Sequence, residues 1–139
     1  GYWEDPAATA ERFIDGWLVT EDLVTADADG VFTHLGRRDE VLTLPDGQLV
    51  APRRVEAVLE RHPGVRRAAV TCDPSDGTVV ALVDCQRRHR PSEDELLTYA
   101  RDLLDQQATP ERVVLVDEIP ETDAGTVARA ALPDLLAER

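Results

Sequence analysis

An α+β fold is the class this 139-residue sequence predicts, and three observations predict it. Two runs, 65–72 and 78–85, read as strands on either side of the turn Asp73-Pro74-Ser75-Asp76-Gly77. From Ser92, a helical stripe runs through Leu96, Leu97, Ala100, Leu103 and Leu104. The order along the chain is hairpin, helix, two strands, helix, strand, loop, helix, which suits a layer of sheet and helices. With 42% hydrophobic residues, the chain can bury one modest core, so one small domain plus a short extra piece is expected.

Residues 6–13 predict a short helix, with Pro6 suited to a first turn and Asp5 to a cap. Strands at 17–20 and 31–35 are expected to pair as a hairpin through Asp27-Ala28-Asp29-Gly30. Five of the six aromatics, Tyr2, Trp3, Phe13, Trp17 and Phe32, fall in these first 36 residues. So short a piece cannot easily bury them alone, and it is expected to pack on something else. A boundary is expected near 36–40.

Beyond it, 40–44 and 48–51 predict a second hairpin around Pro45-Asp46-Gly47. Pro52 opens a helix expected to reach about His62, with Val55, Val58 and Leu59 on one face and Pro63-Gly64 as its stop. Ser92 with Glu95 three residues on forms a capping box. Residues 112–116 predict a strand, 120–125 a polar loop, and 127–137 a helix interrupted or kinked by Pro133. The whole is a small domain with a β-hairpin and a three-stranded sheet packed with about three helices, preceded by a short helix and hairpin.

Net charge is −13, which argues against nucleic acid or an anionic membrane as partner. All 15 basic residues are arginine, so chemistry that needs an ammonium group must come from outside the chain. Cys72 and Cys85 show no CxxC pattern, and His34, His62 and His89 lack ligand spacing; a metal site is not expected. No apolar run approaches a membrane span and no signal peptide is evident, so a soluble, cytoplasmic protein is expected.

Five ordered blocks carry a resemblance: GYWEDPAATAERFIDGWLVTED, GRRD, the loop Leu44-Pro45-Asp46-Gly47-Gln48, HPGV, and PETDAGTVARAAL. Together they resemble the C-terminal third of adenylate-forming enzymes, the superfamily of acyl-CoA synthetases and nonribosomal peptide adenylation domains. The resemblance implies that 1–36 is the terminal segment of a large N-terminal domain and 37–139 a mobile C-terminal domain. It implies ATP with Mg in a parent ligase, and coenzyme A or phosphopantetheine as thiol acceptor.

By that resemblance Asp22 and Arg37 are the nucleotide-binding residues: Asp22 receives the ribose hydroxyls and Arg37 approaches ribose or phosphates. Asp39 is the implied hinge, and Gly47 lies in the implied thioester-forming loop. Read without it, Asp22 is a strand-end carboxylate, 37–40 a solvated charge run, and Asp46-Gly47 a hairpin turn. The sequence departs from the pattern twice. Glu21 stands where the family has glycine, and Thr126 occupies the position of the catalytic lysine, leaving no catalytic residue in the chain.

A neutral hydroxyl cannot supply the positive charge that the lysine places between carboxylate and α-phosphate. Arg129, three residues on, is a poor geometric substitute and reads by default as a surface arginine. Two functions follow. The chain is the lid of a carboxylate-activating ligase impaired in adenylation, its partners a large domain and an acyl or peptidyl carrier protein; or it is a degenerate docking module in a polyketide or peptide assembly line. Its start within the implied large domain suggests a fragment or one half of a split gene.

Overall fold

The computed structural model describes residues 5–105 and 108–138, and the chain falls into two units, 1–39 and 40–139. In the first unit, helix α1 (Pro6–Arg12) starts on Pro6, and the Asp5 carbonyl accepts from the Thr9 amide and hydroxyl. Strands β1 (Phe13–Ile14) and β2 (Trp17–Leu18) then pair across Asp15-Gly16. Both turn residues have positive φ, 50° and 84°, as a tight two-residue hairpin turn requires.

The expected pairing of 17–20 with 31–35 is therefore corrected. Asp15-Gly16 turns the chain early and gives Trp17 and Leu18 to β1. The partner of β4 (Phe32–Arg37) is instead β3 (Asp22–Ala26), closed by the Asp27 carboxylate, which accepts from the amides of Asp29 and Val31. A bulge at Leu23/Val24 sets Asp22 opposite Arg37. The described residues of the first unit thus form a helix and two hairpins. Trp17 and Phe32 stay 79% and 71% exposed; Tyr2 and Trp3 lie outside the described residues.

In the second unit, β5 (Leu42–Thr43) and β6 (Leu49–Val50) form the expected hairpin. Helix α2 (Pro52–Leu59) ends three residues short of His62, because the amides of Arg61 and His62 turn to the nearer carbonyls of Val58 and Leu59 ahead of Pro63. Strands β7 (Val65–Cys72) and β8 (Val79–Cys85) pair antiparallel; α3 (Glu93–Leu103) carries the chain to β9 (Arg112–Val116), parallel to β8. The Ser92 hydroxyl caps α3 by accepting from the Glu95 amide at 3.1 Å.

Every residue from 79 to 84 is buried, so β8 is covered on both faces, as befits the centre of the order β7-β8-β9. Ala68, Val70, Ala81 and Val83 meet Val55, Leu59, Leu96 and Ala100 of α2 and α3. Alternate residues Ala69, Val80 and Leu82 meet Leu132 and Leu136 on the other face. Those leucines belong to α4 (Leu132–Ala137), entered from a 3₁₀ turn, Arg129–Ala131. The helix expected over 127–137, interrupted or kinked by Pro133, is corrected accordingly: it begins at Leu132, and Pro133 sits in its first turn, where its missing N–H is tolerated.

The outer edge of β7 is closed by side chains. Glu60 accepts from the Ala68 amide at 3.1 Å and Glu56 from the Val70 amide at 2.9 Å, satisfying strand donors that would otherwise invite another strand.

Candidate functional site

Asp22 and Arg37, the sequence candidates for nucleotide binding, are register partners on β3 and β4. The Arg37 guanidinium donates to the Thr20 carbonyl at 3.3 Å and lies 3.5 Å from the Asp39 carboxylate. Asp22 has His34 Nε2 at 3.5 Å. The Thr20 hydroxyl, then His34 and Arg37, hold its carboxyl below the usual aspartate range, so it is ionised and acceptor-only at neutral pH. A carboxylate of this kind fits a vicinal diol, which offers two hydroxyl donors.

Glu21 adopts a backbone conformation that ordinarily favours glycine. Its φ is 63°, a left-handed conformation that costs a side-chain-bearing residue about 1 kcal/mol. The Glu21 carbonyl accepts from the Arg38 amide at 2.8 Å, locking this turn to the end of β4. Asp39 is the last residue of the first unit.

Gly47 occupies the tip of the β5–β6 hairpin at φ 85°, and among the described residues nothing beyond its chain neighbours lies within 4 Å of where a Cβ would stand. Its amide donates to the Leu44 carbonyl and the Leu44 amide to Gln48, closing the turn. Pro45 beside it packs on Gly77, where a Cβ would come within 2.7 Å of the proline ring. The tip is thus anchored on one side and open at Gly47.

Residues 120–128 form a small closed hairpin rather than an open loop. The Thr122 amide donates to the Thr126 carbonyl, the Gly125 amide to the Thr122 carbonyl, and the Ala128 amide to the Pro120 carbonyl, each at 2.8 Å. The hydroxyls of Thr122 and Thr126 lie 2.8 Å apart and share a hydrogen bond. Position 126, where the resemblance expects an ammonium, therefore carries a hydroxyl turned back on its own turn.

Arg129 is not an ordinary surface arginine. Its fork meets the buried Glu56 carboxylate at 2.9 and 3.1 Å, and one arm reaches the Val70 carbonyl at 3.4 Å. Arg67 of β7 pairs with Glu121 and donates to the Gly125 carbonyl at 3.0 Å. An open cleft of about 420 Å³ beside the hairpin is lined by Arg53, Glu60, Arg66, Arg67 and Val127. Its arginines are each paired, Arg53 with Glu40, Arg66 with Asp84 and Arg67 with Glu121. Among the described residues, the arginines around position 126 are thus each paired with a carboxylate.

Among the described residues, no group of three or more His, Cys, Asp or Glu is placed to hold a metal ion. Cys72 and Cys85 are half-buried, and burial pushes both thiols up, away from the reactive thiolate. No described helix is long and apolar enough to cross a membrane.

With this geometry in view, comparison with known proteins decides the family: the model of the AMP-binding enzyme C-terminal domain matches residues 54–126. The chain belongs to that family. The 2-succinylbenzoate–CoA ligase of Geobacillus kaustophilus is 37% identical over 139 residues, 98% of this chain and 28% of that protein. The fatty acid–[acyl-carrier-protein] ligase MmaC of Mycobacterium marinum is 36% identical over 141 residues, 95% of this chain and 26% of its own. Among solved structures, ATP-bound MatB from Rhodopseudomonas palustris superposes with a TM-score of 0.71 at 29% identity, over 97% of this chain and 27% of that one. The chain spans about a quarter of the length of the curated relatives it matches.

Within this AMP-binding C-terminal domain, several residues that shape the site escape sequence reasoning. Arg67 lies in a strand with nothing to mark it, and its partners are 54 and 58 residues away. Glu56 and Arg129 are 73 residues apart and meet only once β7 is in place between them. Thr122 carried a signal: two threonines four residues apart around Gly125 suit a closed turn.

Proposed function

We propose that this chain is the lid portion of an ATP-dependent ligase that activates a carboxylic acid and passes it to a thiol, and that its adenylation half-reaction is impaired. The observation that carries the impairment is the Thr126 hydroxyl bonded to Thr122, with Arg67 and Arg129 both engaged by carboxylates. In this reading 1–36 ends a large domain, 37–139 is the mobile domain, and Asp39 is the pivot between them.

Each of the chain's own residues has a task in that reading. Asp22, held ionised, accepts the two ribose hydroxyls of ATP. Arg37 stands across the ladder from it and, in this reading, approaches the ribose or phosphates. Gly47 lets a phosphopantetheine arm approach the hairpin tip with no side chain in its path. ATP with Mg supplies the adenylyl group when bound; the α-phosphate charge at position 126 goes unbalanced by this chain. Either thiol acceptor, coenzyme A or a carrier protein's phosphopantetheine, is compatible with the relatives, one of which is a CoA ligase and one an acyl-carrier-protein ligase.

Separating the half-reactions tests this. The parent enzyme is given either acid with ATP, or a synthetic acyl-adenylate with coenzyme A or a loaded carrier, and thioester is followed. The expected result is thioester from the adenylate and little from acid with ATP. Equal rates from both would remove the impairment, and failure of both across a broad acid panel would favour a docking module instead.

A further inference from the structure

We propose that Arg67 is the positioning residue for position 126, an assignment that rests on the ligase reading above. One side chain spans the stem of the 120–128 hairpin. Its Nη1 pairs with the Glu121 carboxylate, and its Nη2 donates to the Gly125 carbonyl at 3.0 Å. Gly125 immediately precedes residue 126, and Glu121 faces Val127 across the isolated bridge that closes the stem. Holding that carbonyl fixes the orientation of the Gly125–Thr126 peptide, and with it the direction in which the side chain at 126 leaves the backbone.

The anchor is firm because of where Arg67 sits. It lies in β7, paired with β8 at Asp84, and its side chain is only 30% exposed. Arginine is suited to the task because a planar fork can hold two acceptors at once in fixed relative positions, which an ammonium cannot do. Gly125 needs such a hold: its φ is 74°, among the described residues nothing beyond its chain neighbours lies within 4 Å of a Cβ position, and glycine has the widest backbone freedom of any residue. The hydrogen bonds inside the hairpin close it on itself, whereas the Arg67 fork ties it to the sheet.

Hydrogen exchange on this chain and kinetics on the parent enzyme test the assignment together. In Arg67→Ala, the peptide covering 121–128 is expected to exchange about tenfold faster, while the β8 peptide covering 79–85 is unchanged, which shows the fold intact. Unchanged protection of 121–128 would overturn the assignment. In the Thr126→Lys background, Arg67→Ala is expected to lower kcat for ATP–pyrophosphate exchange about tenfold with the KM for ATP unchanged, and Arg67→Lys to recover part of the loss. A change in KM alone, or full recovery with lysine, would contradict a geometric role. If Thr126→Lys shows no exchange at all, the ligase reading fails, and the hydrogen exchange result alone decides whether Arg67 orders the hairpin.

Discussion

The Arg129 guanidinium is forked onto the Glu56 carboxylate, Nη1 to Oε1 at 2.9 Å and Nη2 to Oε2 at 3.1 Å. Glu56 also accepts from the Val70 amide, so the pair joins α2, the edge of β7 and the entry to α4. Glu56 is 5% exposed, and removing its cation would leave a carboxylate with one remaining donor. Arg129→Ala is therefore expected to destabilise the fold by about 2–4 kcal/mol in urea unfolding, and Arg129→Lys to restore little, lacking the fork. A cost under about 1 kcal/mol would mean that Arg129 is free to act elsewhere.

The left-handed backbone at Glu21 gives a prediction of opposite sign. Glu21→Gly relieves the strain at φ 63° without removing a described side-chain contact. It is expected to stabilise the β3–β4 hairpin by about 0.5–1 kcal/mol, read as slower amide exchange in residues 22–37. Faster exchange would show that the Glu21 side chain makes a favourable contribution that outweighs the strain.

Acid should loosen the 73–78 turn before the sheet. The Ser75 hydroxyl and amide, with Arg112, hold the Asp73 carboxyl down; the Thr78 amide and hydroxyl do the same for Asp76. Both are more acidic folded than unfolded, so the turn's contribution is complete above about 3.8 and is lost as pH falls through their lower folded values. Carbon-13 titration of the two carboxyls is expected to give midpoints below 3.8, with Ser75→Ala raising that of Asp73. Midpoints at or above 3.8 would contradict the hydrogen-bond account.

Local signals carried most of the fold. The N-cap at Ser92, Pro52 at a helix start and the apolar run of β8 each depend on residues close in sequence, and each appears where expected, although the Glu95 carboxylate faces His62 at 3.5 Å. Pairing was harder to read. Residues 17–20 and 22–26 are equally strand-like, and only the Asp15-Gly16 turn, with both residues at positive φ, decides which of them meets β4.

The candidate site divides along the same line. Asp22, Arg37, Gly47 and Thr126 are candidates through ordered motifs, whereas the fate of Arg129 and Arg67 depends on partners more than 50 residues distant. No helical or strand period encodes such pairs, so Arg129 read as a surface residue although its side chain is only 21% exposed.

Thr126→Lys in ATP–pyrophosphate exchange tests the central claim most directly, with wild type and variant parent enzymes compared on the same panel of carboxylic acids. An ammonium placed at the α-phosphate is worth several kcal/mol, so the variant is expected to exceed wild type by about 10²–10³-fold in kcat on the acid that the enzyme accepts. Wild-type exchange as fast as that of the variant would contradict the account, because the Thr126 hydroxyl would then be sufficient, or the missing charge would come from outside this chain.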